Sequence, residues 1–127
     1  MTFLFNEELF GSLPVIKLNV YFEDTYLGFY FLIFHSEELV EVHTDLSPEA
    51  IGSAKDISKE SLDYVLECYP KVNCMMTKIP INNKLAKKLA LSCGFSLCGN
   101  IPKSFKYNNT YIDQEIYSFT RSLQCQQ

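Results

Sequence analysis

The sequence predicts a mixed α/β (α+β) domain, built on a mainly antiparallel sheet with one central parallel strand pair and flanking helices. Three observations carry that expectation. Residues 15–22 and 27–34 are runs of β-branched and aromatic residues separated only by Glu23-Asp24-Thr25-Tyr26, the pattern of a hairpin. Residues 53–68 have helical periodicity and lie between strand-like segments 39–46 and 72–78, and a strand–helix–strand crossover makes its two strands parallel. Residues 77–95 run from a strand ending at Lys78-Ile79-Pro80 through a short helix into a second strand, with little spare loop.

In chain order, Phe3-Leu4-Phe5 reads as a first strand and Asn6-Glu7-Glu8-Leu9-Phe10 as a helical turn before Gly11 and Pro14. The hairpin follows, and a third strand over 39–46 completes an antiparallel meander. The first long helix sets Ala54, Ile57, Ser61, Leu62, Val65 and Leu66 on one side and Lys55, Lys59, Glu60, Asp63 and Glu67 on the other, so it covers one sheet face. Tyr69-Pro70 ends it. In the second helix Asn82-Asn83 can accept hydrogen bonds from the first-turn N–H groups, Leu85, Ala86 and Leu89 recur at helical spacing, and Gly94 can take the positive φ that closes a helix. Residues 95–101 and 111–119 form a second hairpin joined through 102–110. No linker or repeat divides the chain, so 1–123 reads as one domain and 124–127 as a frayed tail.

A net charge of −4 and the lack of any Lys/Arg run disfavour nucleic acid, whose phosphates need clustered cations. The most apolar stretch, 27–34, is too short for a bilayer, and no cationic segment precedes an apolar one at the start of the chain. The expectation is a cytoplasmic protein with no membrane span and no signal peptide. Five cysteines without a C-x-x-C pair, with only two histidines, fit neither a zinc site nor a disulfide framework. They read as reduced, mostly buried thiols.

Ligands favour the point where sheet pairing changes sense, here the start of the crossover helix. The segment 48–53 leads into that helix, where free N–H groups and the helix dipole suit a phosphate or pyrophosphate and Gly52 lets it approach. The plainer alternative makes Gly52 part of a tight loop and Ser53 the helix cap. Along strand 39–46, Glu41, His43 and Asp45 alternate and so project from one face, lining a cleft or facing water. His43 is the better base of these at neutral pH.

The spacing Asn83, Ala86, Leu89, Gly94, Phe95 resembles the last helix of the GNAT N-acetyltransferase superfamily, N-x-x-A-x-x-L followed by Gly-Phe. The resemblance spans roughly residues 38–121. Glu41-Val42-His43-Thr44, with the later Pro80-to-Phe95 segment, is similar to a short branch of GNAT-like proteins encoded by bacteriophages. In the family's acetyl-CoA signature, [Q/R]-x-x-G-x-[G/A], Gly52 and Ala54 fit the last two positions and Glu49 stands at the first. A second register, on the family's P-E-x-R-G, puts Ile51 at the Arg and Asp56 at the last Gly.

The resemblance implies acetyl-CoA, or another acyl-CoA, as co-substrate and an unknown amine as acceptor. It assigns the pyrophosphate to Ile51, Gly52, Ser53, Ala54 and Lys55, with Lys55 the cation left to compensate for the missing Arg. It assigns the oxyanion to a backbone N–H among Thr44, Asp45 and Leu46, the pantetheine arm to the neighbourhood of Asn83 and Ala86, and base catalysis to Glu41 or His43. Ala90 stands where many members carry the Tyr that protonates the thiolate, which leaves that step to solvent. The competing expectation is a catalytically inactive GNAT-fold protein, a phage structural or host-interaction factor in the virion or host cytoplasm. The Phe/Tyr-rich segments also raise a homodimer or protein partner that completes the site.

Overall fold

Seven strands form one sheet in the order β1-β2-β3-β4-β5-β7-β6. They are β1 (Leu4–Leu9), β2 (Val15–Phe22), β3 (Thr25–Phe34), β4 (Leu39–Leu46), β5 (Cys74–Pro80), β6 (Ser96–Tyr107) and β7 (Thr110–Thr120). Helix α1 (Ala54–Cys68) joins β4 to β5, and α2 (Lys84–Ser92) joins β5 to β6. This computed structural model describes residues 3–9, 11 and 14–121. Every neighbouring pair is antiparallel except β4 with β5, which is parallel as the crossover predicts.

Both helices lie on the same sheet face. Leu18, Leu32, Val40 and Met75 point up from four strands to meet Ile57 and Val65 of α1, all of them nearly or fully buried. Each such side chain contributes about 1.5–3 kcal/mol on leaving water. Tyr30 of β3 donates to or accepts from Ser58 of α1 at 2.9 Å, satisfying two buried hydroxyls at once. Farther along, Lys87 of α2 reaches Glu115 of β7 at 2.7 Å, while Ala90 and Phe95 close the core at that end. The opposite face, which carries Phe29, Phe31, Glu41, His43 and Lys78, bears no helix among the described residues.

The second helix forms as its sequence predicts. Asn83 Oδ1 accepts from the Ala86 N–H at 3.1 Å, and Gly94 takes φ +91 to end it. Elsewhere tertiary partners override local preference. Asn6 to Leu9 is strand rather than a helical turn, because each residue pairs with β2 and Glu7 accepts hydroxyl hydrogen bonds from both Tyr64 and Tyr69; Phe10 lies outside the described residues. The segment 102–110 is not a loop either. β6 and β7 continue to a two-residue turn at Asn108-Asn109, both at positive φ, a conformation Asn tolerates. An irregularity between Ile101 and Phe105 absorbs Pro102 on this edge strand, with Lys103 at φ +49 and its N–H donated to Asp113 at 2.9 Å.

β5 starts two residues later than predicted and runs through Pro80. The cysteines are less buried than expected: among the described residues Cys68 and Cys98 are exposed and Cys74 and Cys93 half-buried, each of them a free thiol; Cys125 lies outside the described residues. Residues 124–127 lie outside the described residues. Among the described residues no helix is long and apolar enough to cross a membrane.

Candidate functional site

The parallel pairing of β4 with β5 covers only three residue pairs, Leu39 with Cys74, Val40 with Met75 and Glu41 with Met76. Beyond them the strands part. The direction of the backbone groups at the gap follows from the ladders on either side. His35 N–H donates to the Leu39 carbonyl at 3.0 Å and Ser47 N–H to the Leu27 carbonyl at 2.8 Å, bracketing an unbroken β3–β4 register. Antiparallel strands bond through alternate residues, so Glu41, His43 and Asp45 spend their backbone groups on β3, and Thr44 and Leu46 aim theirs into the gap. On the far wall, bonds from Ile81 to Asp113 and from Arg121 to Asn73 bracket the β5–β7 ladder in the same way. The backbone of Lys78 then faces β4, while the Pro80 carbonyl accepts the Asn83 N–H at 2.9 Å in the turn into α2.

A cleft of about 210 Å³ occupies this gap and extends between α1 and α2. Its walls are Val42, His43 and Thr44 of β4, Thr77 to Pro80 at the end of β5, Ser58 and Ser61 of α1, and Asn83, Ala86 and Ala90 at α2. Of the residues the sequence nominated, His43, Thr44, Asn83 and Ala86 therefore come together. Asp45, Leu46 and residues 51–55 lie outside the cleft walls, at the end of β4 and in the turn into α1.

That turn differs from a free helix N-terminus. Pro48–Ser53 is a 3-10 segment that runs directly into α1, and the Ala54 N–H is already bonded to the Ile51 carbonyl. Ser53 makes no side-chain cap. Gly52 is exposed, and a Cβ there would meet nothing within 4 Å, so no packing within the chain demands a glycine. Glu49 and Asp56 add negative charge, and Lys55 is the exposed cation beside them.

On the helix-free face, Glu41 is the hub of a charged cluster. Its side chain is 6% exposed; Oε1 accepts from His35 Nε2 at 2.8 Å, and Oε2 accepts from His43 Nε2 at 2.5 Å and from Lys78 Nζ at 3.3 Å. Burial alone would raise the carboxyl, but the hydrogen bonds from His35, His43 and Lys78, with the Lys78 charge, outweigh it and lower the pKa from 4.5 to about 2. An ionised carboxylate only accepts. Both imidazoles therefore donate Nε2–H to it, and His43 also lines the cleft. So weakly basic a carboxylate takes up a proton reluctantly, and its hydrogen bond fixes the Nε2 side of the His43 ring.

Sequence reasoning missed His35 and Lys78. Lys78 was legible as part of the β5 strand, yet only the register, with Glu41 opposite Met76, brings it one step along beside the carboxylate. Cys93 lines the cleft too, but burial pushes its thiol up, against the Ser92 hydroxyl and the nearby charges of Lys59 and Lys55. Among the described residues no cluster of His, Cys, Asp and Glu could hold a metal ion.

No protein-family model matches the chain, and no curated protein matches it by sequence. Solved structures do match it in shape. The spermidine N-acetyltransferase of Vibrio cholerae in complex with CoA and spermine superposes with a TM-score of 0.77 at 20% identity, over 87% of this chain and 68% of that one. A chimera of that enzyme, SpeG, with hSSAT gives 0.77 at 20% identity over 86% and 68%. A point mutant of SpeG gives 0.78 at 19% over 87% and 68%. At this identity the likeness speaks for architecture, and the fold of the chain is that of the GNAT N-acetyltransferases.

Proposed function

We propose that the chain is a GNAT-like acyltransferase that binds acetyl-CoA, or another acyl-CoA, between β4 and β5 and transfers the acyl group to an amine. The observation that carries this reading is the parting of the two parallel strands after three pairs, with the backbone groups of Thr44, Leu46 and Lys78 turned into the gap. A pantetheine arm carries two amides, and unpaired strand edges bond such a chain as they would a strand. The solved relative with CoA bound supports the choice of co-substrate.

The chain's residues then have distinct tasks. The N–H of Thr44 or Leu46 donates to the thioester oxygen as it becomes an oxyanion, a contribution of the kind worth about 2.7–4 kcal/mol. Asp45 is relieved of that role because its N–H faces β3. His43 Nδ1 accepts the proton the amine loses as its nitrogen bonds to the carbonyl carbon, and Glu41 stabilises the resulting imidazolium. The C–S bond breaks, and the thiolate takes a proton from solvent or back from His43. Lys55, with the exposed turn around Gly52, is left to meet the phosphates.

The competing reading, an inactive GNAT-fold protein with a phage structural or host-interaction role, draws on Ala90 at the position of the usual acid and on the occupied Ala54 N–H. Thiol release on mixing acetyl-CoA with a panel of amines separates the two, and spermine, bound by the solved relative, is the first acceptor to try. Turnover should appear with at least one amine, and His43→Ala should lower kcat by about 10²–10⁴-fold with little change in cofactor affinity. Release no faster than in buffer for every amine, or equal loss of rate and affinity in the variant, contradicts the assignment.

A further inference from the structure

Glu41 is shared. Its two oxygens serve two imidazoles, His43 at the cleft and His35 in the turn between β3 and β4, and these are the only histidines in the chain. His35 is 47% exposed, touches no cleft wall, and forms no part of the nominated machinery, yet it sits 2.8 Å from a carboxylate that is otherwise shut off from water. We propose that His35 is a positioning residue that governs the protonation of His43 through the carboxylate of Glu41; its catalytic meaning rests on the acyltransfer reading above.

The electrostatics give the sign. Titratable groups face Glu41 from three sides, His35 from the β3–β4 turn, His43 from β4 itself and Lys78 from β5, while β3 presents the apolar Ile33. Asp45 follows on the same side of β4, and Lys17 of β2 lies over the Phe29 ring at 4.5 Å, two strands away. With Lys78 charged, one positive charge already balances the carboxylate. A proton on His35 adds a second, so it opposes a third on His43. The two imidazoles are anticooperative: a proton on either ring opposes a proton on the other. Their titrations belong to the pair rather than to either ring.

Two histidines make the test unambiguous by NMR. In the wild-type chain both imidazole titration curves should be broader than a single-proton curve. His35→Gln keeps a neutral donor to Glu41 and removes the charge, so the remaining His43 curve should sharpen towards that of a single proton and move to higher pH. The acid limb of kcat/KM should move with it. Glu41→Gln, which preserves shape, should leave two histidines that titrate without the broadening. A His43 curve unchanged in His35→Gln overturns the proposal. If the curves couple as stated but no acyl-CoA turns over with any amine, the coupling stands and the acyltransfer reading is what fails.

Discussion

Glu41 carries the most physics per atom in this chain. Its alternation with His43 and Asp45 was legible in the sequence, since side chains two apart share a face of a strand. What the sequence could not tell is that one of the three is nearly shut off from water while Asp45 is exposed, because that depends on which strands flank β4 and in what register. The depressed pKa makes Glu41 a stability determinant with a definite pH window. Its folded value, about 2, lies below the ordinary 4.5, so the stabilisation is fully present above about 4.5 and is lost as pH falls towards 2. Wild-type stability, followed by urea unfolding, should therefore drop more steeply between those two values than that of Glu41→Gln. Parallel stability curves for the two would mean that the carboxylate gains nothing from His35, His43 and Lys78.

At the scale of elements, short-range chemistry was the readable part. The hairpin of β2 and β3, strand β4, the crossover helix and the Asn83-to-Phe95 unit all follow from periodicity, caps and a glycine stop. The misread segments were those whose conformation is decided by distant partners: Asn6 to Leu9 by pairing with β2, and 102–110 by the register of β6 on β7. The loss of pairing between β4 and β5, which makes the cleft, leaves no mark in either strand's own sequence. One glycine does mark how β4 is held. Gly28 of β3 has φ +130, and a Cβ there would lie 2.3 Å from the Asp45 carbonyl oxygen and 2.7 Å from Leu46 Cα. Backbone cannot yield as a flexible side chain can. Gly28→Ala should cost about 2 kcal/mol or more in thermal unfolding and displace the end of β4 that carries the Thr44 and Leu46 amides. A variant as stable as wild type would show that this close approach relaxes freely.

The whole molecule is a sheet covered by helices on one side only, among the described residues, with a cleft that passes from the helical side to the edge of the His43 cluster. On the proposed acyltransfer reading, a sheet open on one face gives the two reactants separate approaches, the acyl carrier through the gap between β4 and β5 and the amine across the open face to His43. The overall architecture was available from the order of strand and helix patterns; the location of the gap, and the division of labour around it, needed the register. The most direct test is a titration of acetyl-CoA against thermal unfolding, in the wild type and in Ala86→Phe, whose ring would fill the cleft beside Asn83. The account predicts a transition that rises with cofactor concentration, worth about 2.7 kcal/mol at a hundredfold excess over Kd, and no rise in the variant. No shift at millimolar acetyl-CoA, or an equal shift in both proteins, would contradict a cofactor site between β4 and β5.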